Sequence, residues 1–337
     1  MTIRPLAAAP APPSNVQPPP INESRLVDTF LRLVTVPGPS LRERPIADQL
    51  KAELASLNLT AREDEAGERL GGNAGNLIVD LPGNVPGAPS LLFACHMDTV
   101  PVAVGVKPVM ENGKISSDGT TALGGDNRAG CAEVLEAVRE VLEHNLPHGP
   151  IQLVFTVAEE RGLLGASELD PSQLRADYAY AVDVFKANQI YTQGRHLLLE
   201  PDPITPEVMD RLHRERAQAP IQPPDWVRLT PEEKQILEFT AGAMQDVGLK
   251  PEFRKLEWGG TDAIALRQHG INAISLGAGE NNPHTRREFV LVEDMVASTR
   301  LIRGIIARAA AQAQSGALAA SASAVGGPVG AALKSMA

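Results

Sequence analysis

Leu91–Val100, LLFACHMDTV, is the segment from which the rest of the sequence is best interpreted. Its first five residues are continuously apolar, which is typical of a strand buried inside a sheet, and Pro101 follows as a stop signal. His96 and Asp98 are two residues apart, so they project to the same side of an extended chain. The stretch therefore predicts an imidazole and a carboxylate together at the carboxyl end of a strand, where a carboxylate can orient a metal-binding histidine.

Length and composition exclude several classes of protein. The chain has 337 residues, a net charge of -10 and 4% aromatic residues. Its length suits one large α/β domain or two domains. The negative charge disfavours nucleic acid or an anionic membrane as the main partner, and the few aromatics disfavour base stacking. We expect neither of these partners.

Cysteine usage and hydropathy indicate the compartment. Cys95 and Cys131 are too few for a disulfide scaffold, and both are expected to be small buried hydrophobic residues. No run of 18 apolar residues predicts a membrane span, and the proline-broken N-terminus does not resemble a signal peptide. We expect a cytoplasmic protein.

Helical and strand patterns alternate between the two ends of the chain. Helices are predicted at 22–36, 44–57, 126–142, 230–248 and 292–310, and strands at 76–81, 91–95, 151–157, 178–184, 253–256 and 273–276. Residues 107–117 are predicted to form an excursion with a hairpin turn at Asn112-Gly113. This alternation predicts an α/β fold, a three-layer α/β/α sandwich around a mostly parallel twisted sheet.

Composition shifts predict the domain boundaries. Residues 1–21 are Pro/Ala-rich and residues 312–337 are Ala/Gly/Ser-rich, so both are expected to be disordered tails. The catalytic domain is expected to comprise two parts, 22–183 and 230–311. Residues 184–229 form a short insert between them.

Polar residues follow the buried strands at several points. A lone histidine is more often structural than a ligand, and adjacent glutamates are usually a charged surface, but repetition at four strand exits favours a site. All are oxygen or imidazole donors, which suit catalytic zinc, and manganese or cobalt less decisively. Five or six donors exceed the needs of one ion and fit two metals that share a carboxylate. The residues are His96, Asp98, Asp126, Glu159, Glu160, Asp183 and His284.

Six motifs occur in a defined order along the chain: HMDTVP, SSDGTTALGGDNRAG, TVAEERGLLGA, AYAVDV, WGGTDA and NNPHTRREF. Together they closely resemble the two-zinc metallopeptidases that include peptidase T, carboxypeptidase G and aminoacylase. The resemblance is nearest to the peptidase T-like branch. It covers about 26–183 and 230–310.

The resemblance implies ligands for two zinc ions. His96 and Asp183 would hold one ion, Glu160 and His284 would hold the other, and Asp126 would bridge both. In the same way, the resemblance implies that Asp98 orients the ring of His96.

The resemblance also implies a general base, Glu159, which would take a proton from the bridging water and later deliver it to the leaving amine. Glu159 and Glu160 are predicted to point to opposite sides of an extended segment. A glycine-rich substrate turn is implied near the residues Gly259, Gly260, Thr261 and Asp262, although a structural turn is an alternative. Asn281 and Asn282 precede His284 and are further candidates for substrate contact.

The interval between Asp183 and Thr230 departs from the family pattern. In relatives it carries a separate lid domain that dimerises and closes over the substrate, but here it holds 46 residues. That is too short for an independent core, so we expect no family-type lid dimer. The family's oxyanion-stabilising histidine cannot be mapped, and Arg195 and His196 are the remaining candidates.

Three functions are compatible with these features. The leading one is a zinc-dependent exopeptidase, an aminopeptidase acting on short peptides. An N-acyl amino acid deacylase or a carboxypeptidase would use the same centre on a different substrate. A non-catalytic, metal-binding assembly protein is disfavoured, since such a protein has no need of Glu159 as a base.

Overall fold

A mixed sheet of eight strands runs through the part of the protein that the computed structural model describes, residues 18–191, 229–254 and 260–325. The described strands, including those of a smaller second sheet, are β1 (Arg62–Glu63), β2 (Leu77–Leu81), β3 (Leu91–His96), β4 (Pro108–Glu111), β5 (Lys114–Ser117), β6 (Ile151–Thr156), β7 (Tyr178–Val182), β8 (Gln189–Tyr191), β9 (Glu252–Arg254), β10 (Ala273–Leu276), β11 (Glu280–Asn281) and β12 (Phe289–Leu291). The described helices are α1 (Glu23–Thr35), α2 (Arg44–Ser56), α3 (Ala66–Leu70), α4 (Gly125–Glu143), α5 (Leu164–Ser167), α6 (Pro231–Asp246), α7 (Asp262–Gln268) and α8 (Val292–Val325).

The strand order of the large sheet is β1-β2-β6-β3-β7-β10-β8-β9. Its middle four strands, β6, β3, β7 and β10, are parallel to one another. Leu91 is level with Ile151 on one side and with Tyr178 on the other. Parallel pairing in this register brings the carboxyl ends of the central strands to one edge of the sheet.

The two faces of the sheet pack against different helices. Along β3, Leu91 and Phe93 join the larger core with α1, α2, α4, α6 and α8, whereas Leu92 and Ala94 join a smaller core with α5 and α7. Alternate side chains of an extended strand point to opposite faces, so a continuously apolar strand is required here. The predicted three-layer α/β/α sandwich is confirmed.

A four-stranded antiparallel sheet, β11-β12-β5-β4, lies next to the start of α4. The hairpin between β4 and β5 turns at Asn112 and Gly113, both with positive φ, as the sequence predicts. Pairing of β12 with β5 fixes one end of the loop that carries His284. The small sheet therefore positions the loop that carries His284.

Some elements differ from the prediction. Helix α8 continues to Val325 instead of ending near residue 310, because its C-terminal half is rich in alanine, the best helix former. Within the motif WGGTDA, Thr261 caps α7 and Asp262 starts it. Strand β8, which falls in the predicted insert, pairs with β10 in the large sheet.

Several expectations concern residues outside the described ranges, including most of the insert, both candidate oxyanion residues Arg195 and His196, and most of the N-terminal tail. Among the described residues, none of the helices combines the length and the apolar character needed to cross a membrane.

Helix α6 starts with a complete capping box. The N–H of Glu233 donates to the Thr230 hydroxyl at 3.2 Å, and the N–H of Thr230 donates to the Glu233 carboxylate at 2.8 Å. Thr230→Ala is expected to lower the free energy of unfolding by about 1 kcal/mol, since one helix-end donor loses its acceptor. Urea unfolding followed by circular dichroism measures this. Thr230→Ser keeps the hydroxyl and serves as the control, and equal midpoints for the two variants would contradict the capping role.

Candidate metal centre

The carboxyl edge of the large sheet collects the predicted site residues. His96 ends β3, Asp183 follows β7, and Glu159 and Glu160 follow β6 in a short 3-10 turn. Asp126 lies in the first turn of α4, and His284 lies in the loop between β11 and β12. Parallel strands, the start of α4 and the loop between β11 and β12 thus bring together residues that are distant in sequence.

His96 lies among three carboxylates. Its Nε2 atom is 2.8 Å from Asp126 Oδ1, 3.8 Å from Asp183 Oδ1 and 3.9 Å from Glu159 Oε2. The imidazole is 1% exposed, so water contributes little to its environment. One imidazole nitrogen facing several carboxylate oxygens is the arrangement expected around a metal ion.

His284 lies on the other side of Asp126. Its Nε2 atom is 2.8 Å from Glu160 Oε2 and 3.0 Å from Asp126 Oδ2. The Oδ1 atom of Asp126 faces His96, so each oxygen of this carboxylate faces a different imidazole. This geometry is compatible with a carboxylate placed between two cations.

Asp98 contacts both the His96 ring and the backbone of Glu159 and Glu160. Its Oδ1 atom is 3.3 Å from His96 Nδ1 and accepts a hydrogen bond from the N–H of Glu159 at 3.0 Å. Its Oδ2 atom accepts from the N–H of Glu160 at 3.3 Å and from the Ser40 hydroxyl at 2.6 Å. Asp98 is fully buried, and its carboxylate lies between the His96 imidazole and the 3-10 turn Glu159–Arg161, the glutamate turn.

The prediction that Glu159 and Glu160 lie on an extended segment is wrong. They start a 3-10 turn after Ala158, whose φ is +50°. Two consecutive N–H groups can reach the Asp98 carboxylate because the backbone turns. The side chains still diverge, toward His96 for Glu159 and toward His284 for Glu160.

Four polar residues near the site were not predicted. Glu288 accepts from the N–H groups of Gly124 at 2.8 Å and Asp126 at 2.9 Å, which fixes the start of α4. Glu288 is four residues after His284, and Glu280 is four residues before it, so charge flanking a ligand loop was the available signal. No comparable pattern marks the other two. The four residues are Ser40, Glu43, Glu280 and Glu288.

Glu43 accepts a hydrogen bond from the backbone of the residue before Glu159. Its Oε1 atom accepts from the N–H groups of Leu41 at 2.7 Å and Ala158 at 3.0 Å. Burial raises the pKa of Glu43 to about 7 against the lowering effect of these hydrogen bonds. The side chain acts as a brace between the loop after α1 and the residue before Glu159.

The electrostatics of the cluster suit divalent cations. Burial raises the pKa of Glu159 and of Asp183 well above the ordinary carboxyl value. Burial has the same effect on Asp126, but the two nearby imidazoles outweigh it and lower the pKa of Asp126 below its ordinary value. Among the described residues, none of these three carboxylates forms a salt bridge with Lys or Arg. A bound cation would stabilise the charged forms of all three.

One further atom supports this fit. Within the described ranges, Glu160 Oε1 is buried and makes no hydrogen bond. Buried polar atoms without partners are rare in proteins and call for an explanation such as an ion. His96, Asp126 and Glu160 also form a compact group in which one ligand atom from each lies within 4.8 Å of the others.

Two of the predicted substrate residues, Thr261 and Asn282, make hydrogen bonds within the protein. The Thr261 hydroxyl caps α7 by accepting from the N–H of Ala263 at 3.3 Å and lies 2.6 Å from the Ser275 hydroxyl, so it has a structural role. The Asn282 side chain donates to the Arg287 carbonyl at 3.5 Å. Gly260 lies just before the α7 cap, and Gly259 falls outside the described residues.

Comparison with known proteins identifies the family. Residues 92–308 match Peptidase family M20/M25/M40. The chain belongs to this family. Peptidase T of Shewanella pealeana is 34% identical over an alignment 169 residues long, which covers 41% of this chain and 40% of that protein. The chain therefore spans about 40% of the length of this relative. Family membership supports a peptidase hydrolase, and the family is generally metal-dependent.

Longer matches cover nearly whole relatives. The uncharacterized protein YqjE of Bacillus subtilis (strain 168) is 29% identical over an alignment 371 residues long, which covers 86% of this chain and 100% of that protein. The crystal structure of aminopeptidase PepT from Bacillus cereus ATCC 10987 is 27% identical with a TM-score of 0.71, covering 86% of this chain and 99% of that chain. A tripeptidase from Staphylococcus aureus gives the same TM-score and coverage at 25% identity. The resemblance to the peptidase T-like branch is confirmed.

Asp98→Asn tests the support of the centre. An amide presents one acceptor oxygen instead of two, so it cannot accept from the N–H groups of both Glu159 and Glu160 as the carboxylate does. We expect metal affinity to fall about 10- to 100-fold, measured by competition with a chromogenic zinc chelator. Asp118→Asn, on an exposed loop, is the control and should bind like wild type. An unchanged affinity in Asp98→Asn would show that Asp98 does not support the centre.

Proposed function

We propose that the protein is a metal-dependent exopeptidase that removes amino-terminal residues from short peptides at a centre of two zinc ions. The observation that carries the proposal is the shared carboxylate, since each oxygen of Asp126 faces a different imidazole. Manganese or cobalt are compatible with the same donors. The metal-holding residues would be His96 and Asp183 at one position, Glu160 and His284 at the other, and Asp126 at both.

The chemistry follows from the donors around Asp126. Two divalent ions held by these residues would lower the pKa of a bound water toward neutrality and would polarise the scissile carbonyl. Glu159 takes the proton of the attacking water and then delivers it to the leaving amine. Its carboxylate is suited to this role because it lies near His96 while its turn is fixed by Asp98.

The position of Glu159 agrees with a proton-transfer role. Burial and the neighbouring acids Asp183 and Glu160 raise its pKa, so the carboxyl group holds a proton more readily than an exposed glutamate does. A general acid/base works best when its pKa is near the working pH. Bound cations would lower this pKa again, so the two effects oppose each other.

Substrate class is inferred from the relatives. The two structures with the TM-score of 0.71 are described as an aminopeptidase and a tripeptidase, which favours short peptides over N-acyl amino acids. We further propose that the predicted insert 184–229, apart from β8, takes the place of the relatives' lid, so the family-type dimer does not form. A reduced lid would leave the centre open toward longer peptides.

Glu159→Gln is the test of the mechanism. The amide keeps the shape of the side chain but cannot carry the proton, so kcat/KM on a tripeptide with a free amino terminus should fall about 100- to 10,000-fold. Bound metal, measured by atomic emission, should remain at two ions per chain because Glu159 is not assigned as a ligand. Glu111→Gln, an exposed glutamate on β4, is the control.

The peptide panel separates the alternatives. Tripeptides with a free amino terminus should be cleaved, and the same tripeptides with an acetylated amino terminus should not. Cleavage of the acetylated peptides at their carboxyl end would favour a carboxypeptidase, and release of acetate would favour a deacylase. Wild type that binds two metals but cleaves nothing in the panel would overturn the proposed function.

A further inference from the structure

Glu280 is a buried carboxylate that the proposed mechanism does not use. Glu280 is only 3% exposed, and within the described ranges its Oε1 atom has no hydrogen-bond partner. Nor does a Lys or Arg of the described residues form a salt bridge with it. An unpaired carboxylate in a protein interior is costly, so its burial calls for a partner of opposite charge.

The carboxylate lies beside two of the proposed metal ligands. One oxygen from each of Asp126, Asp183 and Glu280 lies within 4.8 Å of the other two. Ligand oxygens lie about 2 Å from a bound transition-metal ion, so oxygens on opposite sides of one ion are roughly 4 to 5 Å apart. The spacing of the three oxygens therefore fits a single shared cation.

Backbone hydrogen bonds hold Glu280 next to Asp183. The N–H of Asp183 donates to the Leu276 carbonyl at 2.9 Å, and the N–H of Ala278 donates to the Val184 carbonyl at 2.7 Å. The N–H of Gly279 then donates to the Phe185 carbonyl. These hydrogen bonds continue the β7–β10 ladder beyond the two strands and hold residues 276–279 beside residues 183–185.

The other side of Glu280 is fixed by the small sheet. Glu280 is paired with Val290 of β12, and Gly279 just before it adopts a φ of +75°. A side chain at Gly279 would be strained by this φ, and an added Cβ would approach the Asp294 Cβ at 2.9 Å. Two sheets therefore aim the Glu280 carboxylate at the cation position.

We propose that Glu280 is a further metal ligand, at the position held by His96 and Asp183, and that it raises the affinity of this position for Mn²⁺, so that the position accepts manganese as well as zinc. The proposal rests on the two-metal centre proposed above. With Glu280 this position has three carboxylates and one imidazole, whereas the other position has His284, Glu160 and Asp126. Additional carboxylate oxygens suit manganese, which prefers oxygen ligands and higher coordination numbers than zinc.

The test is Mn²⁺ binding by Glu280→Gln, followed by electron paramagnetic resonance during titration of metal-free full-length protein with MnCl₂. Gln keeps the size of the side chain but loses its charge. We expect Mn²⁺ affinity at one position to fall at least about tenfold, and zinc binding at the other position to persist in a parallel titration with ZnCl₂. Glu111→Gln should match wild type in both titrations.

Thermal unfolding of the metal-free proteins separates ligation from a structural role. A ligand carboxylate repels Asp126 and Asp183 when no cation is bound, so metal-free Glu280→Gln should be at least as stable as wild type but should gain less stability from added Mn²⁺. Unchanged Mn²⁺ affinity would overturn the proposal. Loss of both metals together with a lower metal-free melting temperature would also overturn it and assign Glu280 to folding.

Failure here is distinguishable from failure of the proposed function. If wild type cleaves the peptide panel and Glu280→Gln binds Mn²⁺ normally, the proposed peptidase activity is supported and the proposal that Glu280 is a metal ligand is contradicted. If Glu280→Gln loses Mn²⁺ as expected and wild type cleaves no peptide, the ligand assignment stands and the peptidase proposal falls.

Discussion

The shared carboxylate of Asp126 is the interaction on which the rest of the site depends. Its two oxygens face imidazoles from opposite sides of the fold, one from a strand of the large sheet and one from a loop tied to the small sheet. Like charges gather around it, from Glu159, Glu160 and Asp183. Such a cluster is stable as a charged group when cations bind within it, and the fold provides the rigidity that holds it ready.

That rigidity comes from two kinds of backbone constraint. Parallel pairing of β3 with β6 and β7 aligns the ends that carry His96, Glu159 and Asp183. Buried acceptors then fix the turns that follow: Asp98 binds the glutamate turn and Glu288 binds the start of α4. Main-chain donors, not side-chain contacts alone, therefore set the positions of the proposed ligands.

Much of this could be predicted from the sequence because the signals are local. Continuous apolar runs mark strands buried on both faces, as in Leu91–His96, and a polar residue directly after such a run lies at the sheet edge. The capping box at Thr230 is likewise a local pattern. The convergence of His96, Asp126 and Glu160 followed from parallel pairing, which the alternation of helices and strands indicates.

Other features depend on contacts between distant segments and carry no local signal. The 3-10 turn at Glu159 exists because Asp98, 61 residues away, accepts its N–H. Glu280 becomes part of the cluster through pairing with β12 and a neighbouring ladder to residues 184 and 185. Ser40 reaches Asp98 across 58 residues of sequence. Periodicity and spacing cannot reveal such partners because each depends on the finished fold.

Anomalous diffraction from crystals of the zinc-loaded protein tests the two-metal proposal most directly. We expect two zinc peaks, one in contact with His96 and the other with His284, and both in contact with the carboxylate of Asp126. A single peak, or two peaks that do not share Asp126, would contradict the proposed centre.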